Sequence, residues 1–158
     1  MKQKFLLICL MLSAMGFSSF AQNSKVSEPF SKTVKLKEEC TSLVIEDNLS
    51  VILTESASNN ITIVGDIRDV KKTGVSITDG RLVLSYALRD LPSEVKVYVP
   101  AALLGKVFIN GKGTLSSSTV LKNKTLKIFL AEEGKVNNRS LGNVIVEPMN
   151  DICFVSTL

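Results

Sequence analysis

The 158-residue sequence contains no histidine and no tryptophan, and it has only three cysteines. Without histidine the chain cannot form a Ser-His-Asp or Cys-His catalytic arrangement, and it lacks the commonest transition-metal ligand. Its two cysteines outside the first 20 residues, Cys40 and Cys153, are too far apart for a zinc motif. Aromatic sugar-binding platforms favour exposed Trp or Tyr, and here Tyr86 and Tyr98 fall in strand-like patterns. We therefore expect no metal, no cofactor and no nameable catalytic residue.

A hydrophobic run long enough to span a membrane is also missing. The apolar stretch Phe5–Leu12 follows a basic start, but serine and glycine residues dilute it well before the roughly 20 apolar residues that a spanning helix needs. Small residues lead up to Ala21, as signal peptidases prefer. The sequence therefore predicts a signal peptide over residues 1–21, an exported mature chain that begins at Gln22, and no integral membrane segment after processing.

The charge pattern argues against a nucleic-acid partner. The formal net charge is +4, and it falls by two when Lys2 and Lys4 leave with the signal peptide. The remaining lysines are scattered among acids, whereas a nucleic-acid binder usually shows a dense basic stripe. Export also permits a disulfide. Two cysteines are too few to indicate a disulfide framework, however, so the pairing of Cys40 with Cys153 stays open.

Helical periodicity is nearly absent, and short β-branched runs alternate with Gly, Asn, Asp and Ser, which predicts an all-β domain. The pair Asp79–Gly80 between two such runs indicates a tight hairpin. The predicted strands are Thr33–Leu36, Ser42–Ile45, Ser50–Thr54, Ile61–Val64, Gly74–Ile77, Leu82–Tyr86, Glu94–Val99, Lys106–Ile109, Thr125–Leu130, Asn143–Val146 and Ile152–Ser156.

A repeat covers the C-terminal half. Without gaps, Lys106–Leu115 aligns with Lys127–Val136 and then with Asn143–Ile152, at offsets of 21 and 16 residues. Such offsets are typical of the coils of a parallel β-solenoid. One column holds two glycines and an asparagine, which predicts a corner with positive φ. The predicted inward ladder is Val107/Ile128/Val144, Ile109/Leu130/Val146 and Leu115/Val136/Ile152, and the corner column is Gly113/Gly134/Asn150.

Four segments carry a resemblance to a known family. The stretches "VKVYVP", "FINGKGTL" and "LKIFLAEEGKV", behind "SLVIEDNLSVILTES", resemble the GIN-domain family of auto-transporter adhesin heads. The resemblance implies an exported bacterial protein folded as a right-handed parallel β-helix, with no established catalytic residues. With it, the expected organisation is a signal peptide (1–21), a lead-in segment (22–40) and one GIN-like β-solenoid domain (41–158), with shorter N-terminal strands and a hairpin before the C-terminal coils.

The outward positions of the repeat form the candidate interaction stripe. If the ladder points inward, the alternating residues Phe108, Phe129 and Ile145 point outward, edged by Lys106 and Lys127. Large exposed apolar patches mark interaction sites, so such a stripe could bind a glycan or a protein. The alternative is that N-terminal strands or a loop cover it, because soluble monomers rarely leave such stripes bare.

Other sites have weaker support. Lys112 is followed by glycine rather than Ser or Thr, so the local glycines do not form a phosphate-binding loop. Paired acids at strand ends are usually solvated turns, although two facing acids could serve a carbohydrate-active enzyme. The leading hypothesis is a non-enzymatic, adhesin-like envelope module with an unknown envelope, glycan or protein partner. The alternatives are such an enzyme on a β-helix scaffold, or a structural subunit that self-associates through an open solenoid end. The acid pairs are Glu46–Asp47, Asp66 with Asp69, Glu132–Glu133, and Glu147 with Asp151.

Overall fold

The computed structural model describes residues 28–87, 95–131 and 133–149. In these ranges the chain forms two six-stranded sheets and one short helix, so the predicted all-β class is confirmed. The predicted signal peptide lies outside the described residues. The strands are β1 Phe30–Lys35, β2 Ser42–Ile45, β3 Ser50–Thr54, β4 Asn60–Gly65, β5 Thr73–Thr78, β6 Arg81–Tyr86, β7 Lys96–Pro100, β8 Lys106–Ile109, β9 Thr114–Ser117, β10 Thr125–Leu130, β11 Lys135–Asn137 and β12 Asn143–Pro148, and the helix is α1 Ile67–Lys72.

The two sheets have mixed strand directions. Sheet A has the order β1-β4-β7-β3-β9-β11, and sheet B has the order β12-β10-β8-β2-β6-β5. Within each sheet the strands pair in parallel except at one end, where β1, β4 and β5 pair antiparallel. From β6 to β12 the chain alternates between the two sheets, strand by strand. In sheet B, β8, β10 and β12 therefore lie side by side in parallel, as do β9 and β11 in sheet A, and each is reached by a passage through the other sheet.

The core lies between the two sheets. Alternate side chains of each strand point inward, so Val107 and Ile109 of β8 and Leu126 and Ile128 of β10 are fully buried. Burial weakens toward β12, where Val146 is 50% exposed. Of the nine residues in the predicted ladder, Val107, Ile109, Leu115 and Ile128 are fully buried, Val136, Leu130 and Val144 are partly buried, Val146 is half-exposed, and Ile152 lies outside the described residues.

The predicted register is right for the first two copies of the repeat and wrong for the third. Lys127–Leu130 pairs with Lys106–Ile109 as aligned, and Val136 pairs with Leu115. In the third copy, however, Lys127 pairs with Ile145 rather than with Asn143, a slip of two residues. The side-chain period of a strand is two, so a two-residue slip keeps every apolar side chain on the same face. The hydrophobic pattern therefore could not distinguish the two registers.

The predicted positive-φ corner is also wrong. Neither Gly113 nor Gly134 has a positive φ, and among the described glycines only Gly80 does, at 69°. Close approach explains Gly113 instead, because a Cβ there would lie 3.2 Å from the carbonyl oxygen of Leu49. Asn150, the third member of the column, lies outside the described residues. Gly80 follows Asp79, whose φ is 51°, and this pair forms the hairpin turn between β5 and β6.

The sequence patterns did not predict α1, a helix of six residues between β4 and β5. Asp66 caps the helix by accepting a hydrogen bond from the backbone N–H of Arg68 at 2.9 Å. Asp69 is buried and accepts a hydrogen bond from the hydroxyl of Tyr86 at 2.8 Å. A buried side-chain hydrogen bond therefore connects the helix to β6. Burial, followed by this hydrogen bond, raises the pKa of Tyr86 to about 12.

Truncation of two directly paired residues tests the fall in burial from β10 to β12. Ile128 and Val146 are directly paired, but Ile128 is fully buried and Val146 is half-exposed. Ile128→Ala should lower the free energy of unfolding by about 2–5 kcal/mol, because it leaves a cavity. Val146→Ala should cost about 1 kcal/mol or less, as for partly exposed positions. Equal losses in urea unfolding would contradict the gradient of burial.

Alkaline unfolding tests the Tyr86–Asp69 pair. The ordinary tyrosine pKa is 10.0 and that of folded Tyr86 is about 12, so the folded chain holds a proton that the unfolded chain releases. The stabilisation is complete below pH 10 and is lost as pH rises to about 12. The urea midpoint of the parent chain should therefore fall more steeply across this window than that of Tyr86→Phe. Tyr98→Phe is the control and should keep the steep fall; identical profiles for all three proteins would refute the assignment.

Candidate functional site

The outer face of sheet B, the side turned away from sheet A, carries two rows of unlike side chains. On β8 and β10 the inward residues alternate with Lys106, Phe108, Lys127 and Phe129. The parallel register places Lys106 beside Lys127 and Phe108 beside Phe129. Residues of the same kind are therefore neighbours across the strands, and an apolar row runs next to a polar, cationic row.

The apolar row crosses four strands. Val83 of β6, Val44 of β2, Phe108 and Phe129 are paired in sequence. The two phenyl rings are stacked, with centroids 4.8 Å apart and an angle of 11° between their planes. Val83 and Phe129, at the two ends of the row, are partly buried, whereas Val44 (6% exposed) and Phe108 (9% exposed) between them are buried. The accessible aromatic surface is thus that of Phe129, while Phe108 supports it from within the sheet face.

Ile145 does not complete this row. The predicted stacking of Ile145 on Phe129 is wrong, because Ile145 pairs with Lys127 and Glu147 is the residue opposite Phe129. The cause is the two-residue slip of β12. Ile145 remains on the same face and is 39% exposed, but it lies at the end of the cationic row.

The cationic row contains a residue that sequence reasoning missed. Arg81 of β6 pairs with Ser42 of β2, which pairs with Lys106, which pairs with Lys127. These residues border a groove of about 460 Å³ at the start of the sheet B strands. A signal was available: Ser42, Arg81 and Lys106 each begin a run of one polar and three apolar residues, "SLVI", "RLVL" and "KVFI". The groove is lined by Thr41, Ser42, Arg81, Gly105, Lys106, Phe108, Thr125 and Lys127.

A second concavity is mainly apolar. It has a volume of about 330 Å³, and its wall includes Leu36, Cys40, Leu82 and Leu104. Cys40 is a free, buried cysteine, and burial, with a smaller effect of Glu38, raises the pKa of its thiol. A raised pKa lowers the thiolate fraction, so this thiol is a poor nucleophile. Cys153 lies outside the described residues.

Several acids of the described chain are engaged in local structure. Asp66 caps α1, Asp69 accepts from Tyr86, and Asp47 accepts a hydrogen bond from the backbone N–H of Tyr86 at 3.2 Å. Glu133 forms a 2.7 Å ion pair with Lys112. Within residues 28–87, 95–131 and 133–149, no group of three or more Asp, Glu, Cys or His side chains is placed to hold a metal ion. No helix in these ranges has the length and apolar character needed to cross a bilayer.

Three of the solved structures similar to this chain share its fold. A "putative adhesin" from Parabacteroides merdae aligns at 16% identity and a TM-score of 0.54, over 77% of this chain and 57% of its own. Another, from Bacteroides fragilis, aligns at 18% identity and 0.55, over 76% and 62%. A "Putative lipid binding protein" from Parabacteroides distasonis aligns at 13% identity and 0.53, over 78% and 61%. At such identities the likeness shows the fold alone, and the chain spans about three fifths of the length of each of these proteins.

A match to a family model shows family membership, which the structures of low sequence identity do not show. No curated protein matches the chain. The model described as "Putative auto-transporter adhesin, head GIN domain" matches residues 40–147, which is more than half of the sequence. The match contains both rows of the outer face of sheet B and the parallel strands up to Glu147 of β12. The chain therefore belongs to the GIN-domain family, as the resemblance in its sequence indicated.

Proposed function

We propose that this protein is a non-enzymatic, exported binding module that holds its partner against the outer face of sheet B. The observation that carries the proposal is the pair of in-register rows on this face, one apolar and ending in the half-buried Phe129, the other containing Arg81, Lys106 and Lys127. Interaction sites combine an aromatic anchor with flanking polar and charged groups in this way. The family description as an adhesin head agrees with this role.

The scaffold that we propose is a right-handed parallel β-solenoid. Its support is a constant interval of six residues between paired positions of the two sheets, from Ile45 to Val51, from Ile109 to Leu115 and from Leu130 to Val136. Each interval would be one corner of a coil. Parallel crossovers within one sheet are right-handed in about 98% of cases, which favours that hand. In such a scaffold each coil adds one position to each row of the outer face.

Export places this face outside the cytoplasm, in the periplasm, on the outer surface or in the medium. The proposal rests on the basic start and apolar run of the first 21 residues, and the description as an auto-transporter adhesin head supports it. The partner is then a glycan or protein of the envelope or the surroundings. An enzyme is the weaker alternative, because Asp66, Asp69 and Glu133 cap, pair or support local structure, and within the described residues no three Asp, Glu, Cys or His side chains are grouped to hold a metal ion.

Self-association is a second candidate function. At the β12 end, Leu141 is 79% exposed and Val146 is 50% exposed, and β12 pairs only with β10 among the described strands. An exposed apolar strand edge can pair with another chain, although Glu147 and Pro148 oppose such pairing on β12. Sedimentation at increasing concentration would show a dimer if the strand edge mediates association, and Val146→Lys should abolish it.

An immobilised array of glycans and envelope proteins tests the binding function. The chain from Gln22 onward should be retained by at least one member, and Phe129→Ala should weaken that binding about tenfold or more, because it removes an aromatic anchor. Val120→Ala is the matched control, since Val120 is 41% exposed but lies outside sheet B. It should bind like the parent chain.

Three results of the array experiment would contradict the proposal. Retention by no member of the array would refute a binding module for glycans or envelope proteins. Parent-like binding by Phe129→Ala, with folding verified by circular dichroism, would remove the outer face of sheet B as the site. Shortened glycans in the mass spectrum after incubation would favour the enzyme instead.

A further inference from the structure

The groove at the start of the sheet B strands has a chemistry distinct from that of the apolar row. We propose that it binds an acidic saccharide, a sugar chain that carries sulfate, phosphate or carboxylate groups. The inference rests on the proposed binding function and adds the ligand class. Its evidence is the positions of Arg81, Lys106 and Lys127 around one concavity of about 460 Å³.

The three cations lie in one row across the sheet, with Ser42 between Arg81 and Lys106. Arg81, Ser42, Lys106 and Lys127 are paired in that order on four adjacent strands. Neighbouring strands lie about 4.8 Å apart, so the backbone positions of the row span about 14 Å. The side chains of all three cations are exposed. Within the part of the chain that the structure describes, none of them forms an ion pair with an acid.

The register places two like charges side by side. Lys106 and Lys127 are directly opposite each other on parallel strands, an arrangement that destabilises strand pairing. An anion bound between them would relieve this repulsion. None of the residues that line the groove is acidic. Glu147, an acid on the same sheet face, lies opposite Phe129 in the apolar row. The charged residues that line the groove are therefore all positive.

The rest of the lining favours a saccharide over a bare ion. Thr41, Ser42 and Thr125 contribute hydroxyl groups, which donate to and accept from sugar hydroxyls. Gly105 adds no side chain, and the nearest atom to a Cβ built there is 3.9 Å away, so the floor is open. Backbone positions spread over about 14 Å match an extended chain with several anionic groups better than a single phosphate. Three cations are also few for a nucleic-acid footprint.

Direct binding measurements test the ligand class. The probes are a sulfated oligosaccharide, a neutral oligosaccharide of the same length, inorganic phosphate, and phosphatidylglycerol vesicles. The sulfated oligosaccharide should bind the chain from Gln22 onward at least about tenfold more tightly than the neutral one, and the affinity should fall as sodium chloride rises. Lys127→Glu and Arg81→Ala should each weaken this binding about tenfold.

Lys135→Glu is the matched control. Lys135 is an exposed lysine at the start of β11, in sheet A, and its substitution changes the net charge as Lys127→Glu does. It should change the affinity about twofold or less, as expected for a charge outside the site. An equal loss in Lys135→Glu would overturn the groove as the site, because net charge alone would then explain the binding.

Other outcomes would overturn the ligand class or leave the wider function standing. Equal affinity for sulfated and neutral oligosaccharides would refute an acidic ligand, and phosphate that competes fully at equal concentration would reduce the site to a simple anion site. Vesicle binding without oligosaccharide binding would identify a lipid headgroup instead. If Phe129→Ala loses the array partner while Lys127→Glu retains it, the binding module stands and the acidic-saccharide inference fails. If sulfated oligosaccharide binds and Phe129→Ala has no effect, the groove stands without the aromatic row.

Discussion

The in-register parallel pairing of β2, β8 and β10 is the constraint on which the rest of the structure depends. It places Leu43, Val107 and Ile128 in one buried line across three strands. The same register fixes what the opposite face presents, because side chains alternate along each strand. A slip of one residue would put Phe108 into the core and Val107 outside. The apolar core therefore selects the surface rows as well, and the placement of Lys106 beside Lys127 is a consequence of packing on the other side of the sheet.

Much of this arrangement could be predicted from the sequence, because the strands repeat similar patterns at short distance. The bounds of β2, β3, β8 and β10 match the predicted strands, and the pairing of β8 with β10 follows from "KVFI" and "KIFL". The third copy lacked such a match. Its alignment relied on Asn150 as a partner for Gly113 and Gly134, but those glycines are explained by the close approach of neighbouring side-chain and backbone atoms rather than by positive φ. The glycine column was attributed to positive φ, and the alignment of Asn150 to that column gave the wrong register for β12.

The remaining differences come from contacts that no local pattern encodes. The helix α1 has six residues, too few for a helical period to be visible, and it depends on the Asp66 cap and the Asp69–Tyr86 bond. Arg81 joined the candidate site because β2 pairs with both β6 and β8 and so lies between Arg81 and Lys106. Parallel strands that are adjacent in space are separated along the chain by whole connecting segments. Only the similarity of their four-residue runs links them in sequence.

The geometry of a sheet face also determines what kind of recognition it supports. Catalysis needs groups that converge on one reacting atom, usually from several elements around a cleft. The outer face of sheet B instead presents side chains side by side, at the spacing of the strands, about 4.8 Å. Each contact with a ligand on such a face is exposed and individually weak, so affinity must come from several contacts made together. A ligand with repeated groups along its length meets this requirement, and a small compact substrate does not. The spacing that the core imposes on Arg81, Lys106 and Lys127 is therefore the physical basis of our proposal that the ligand is an extended, charged polymer.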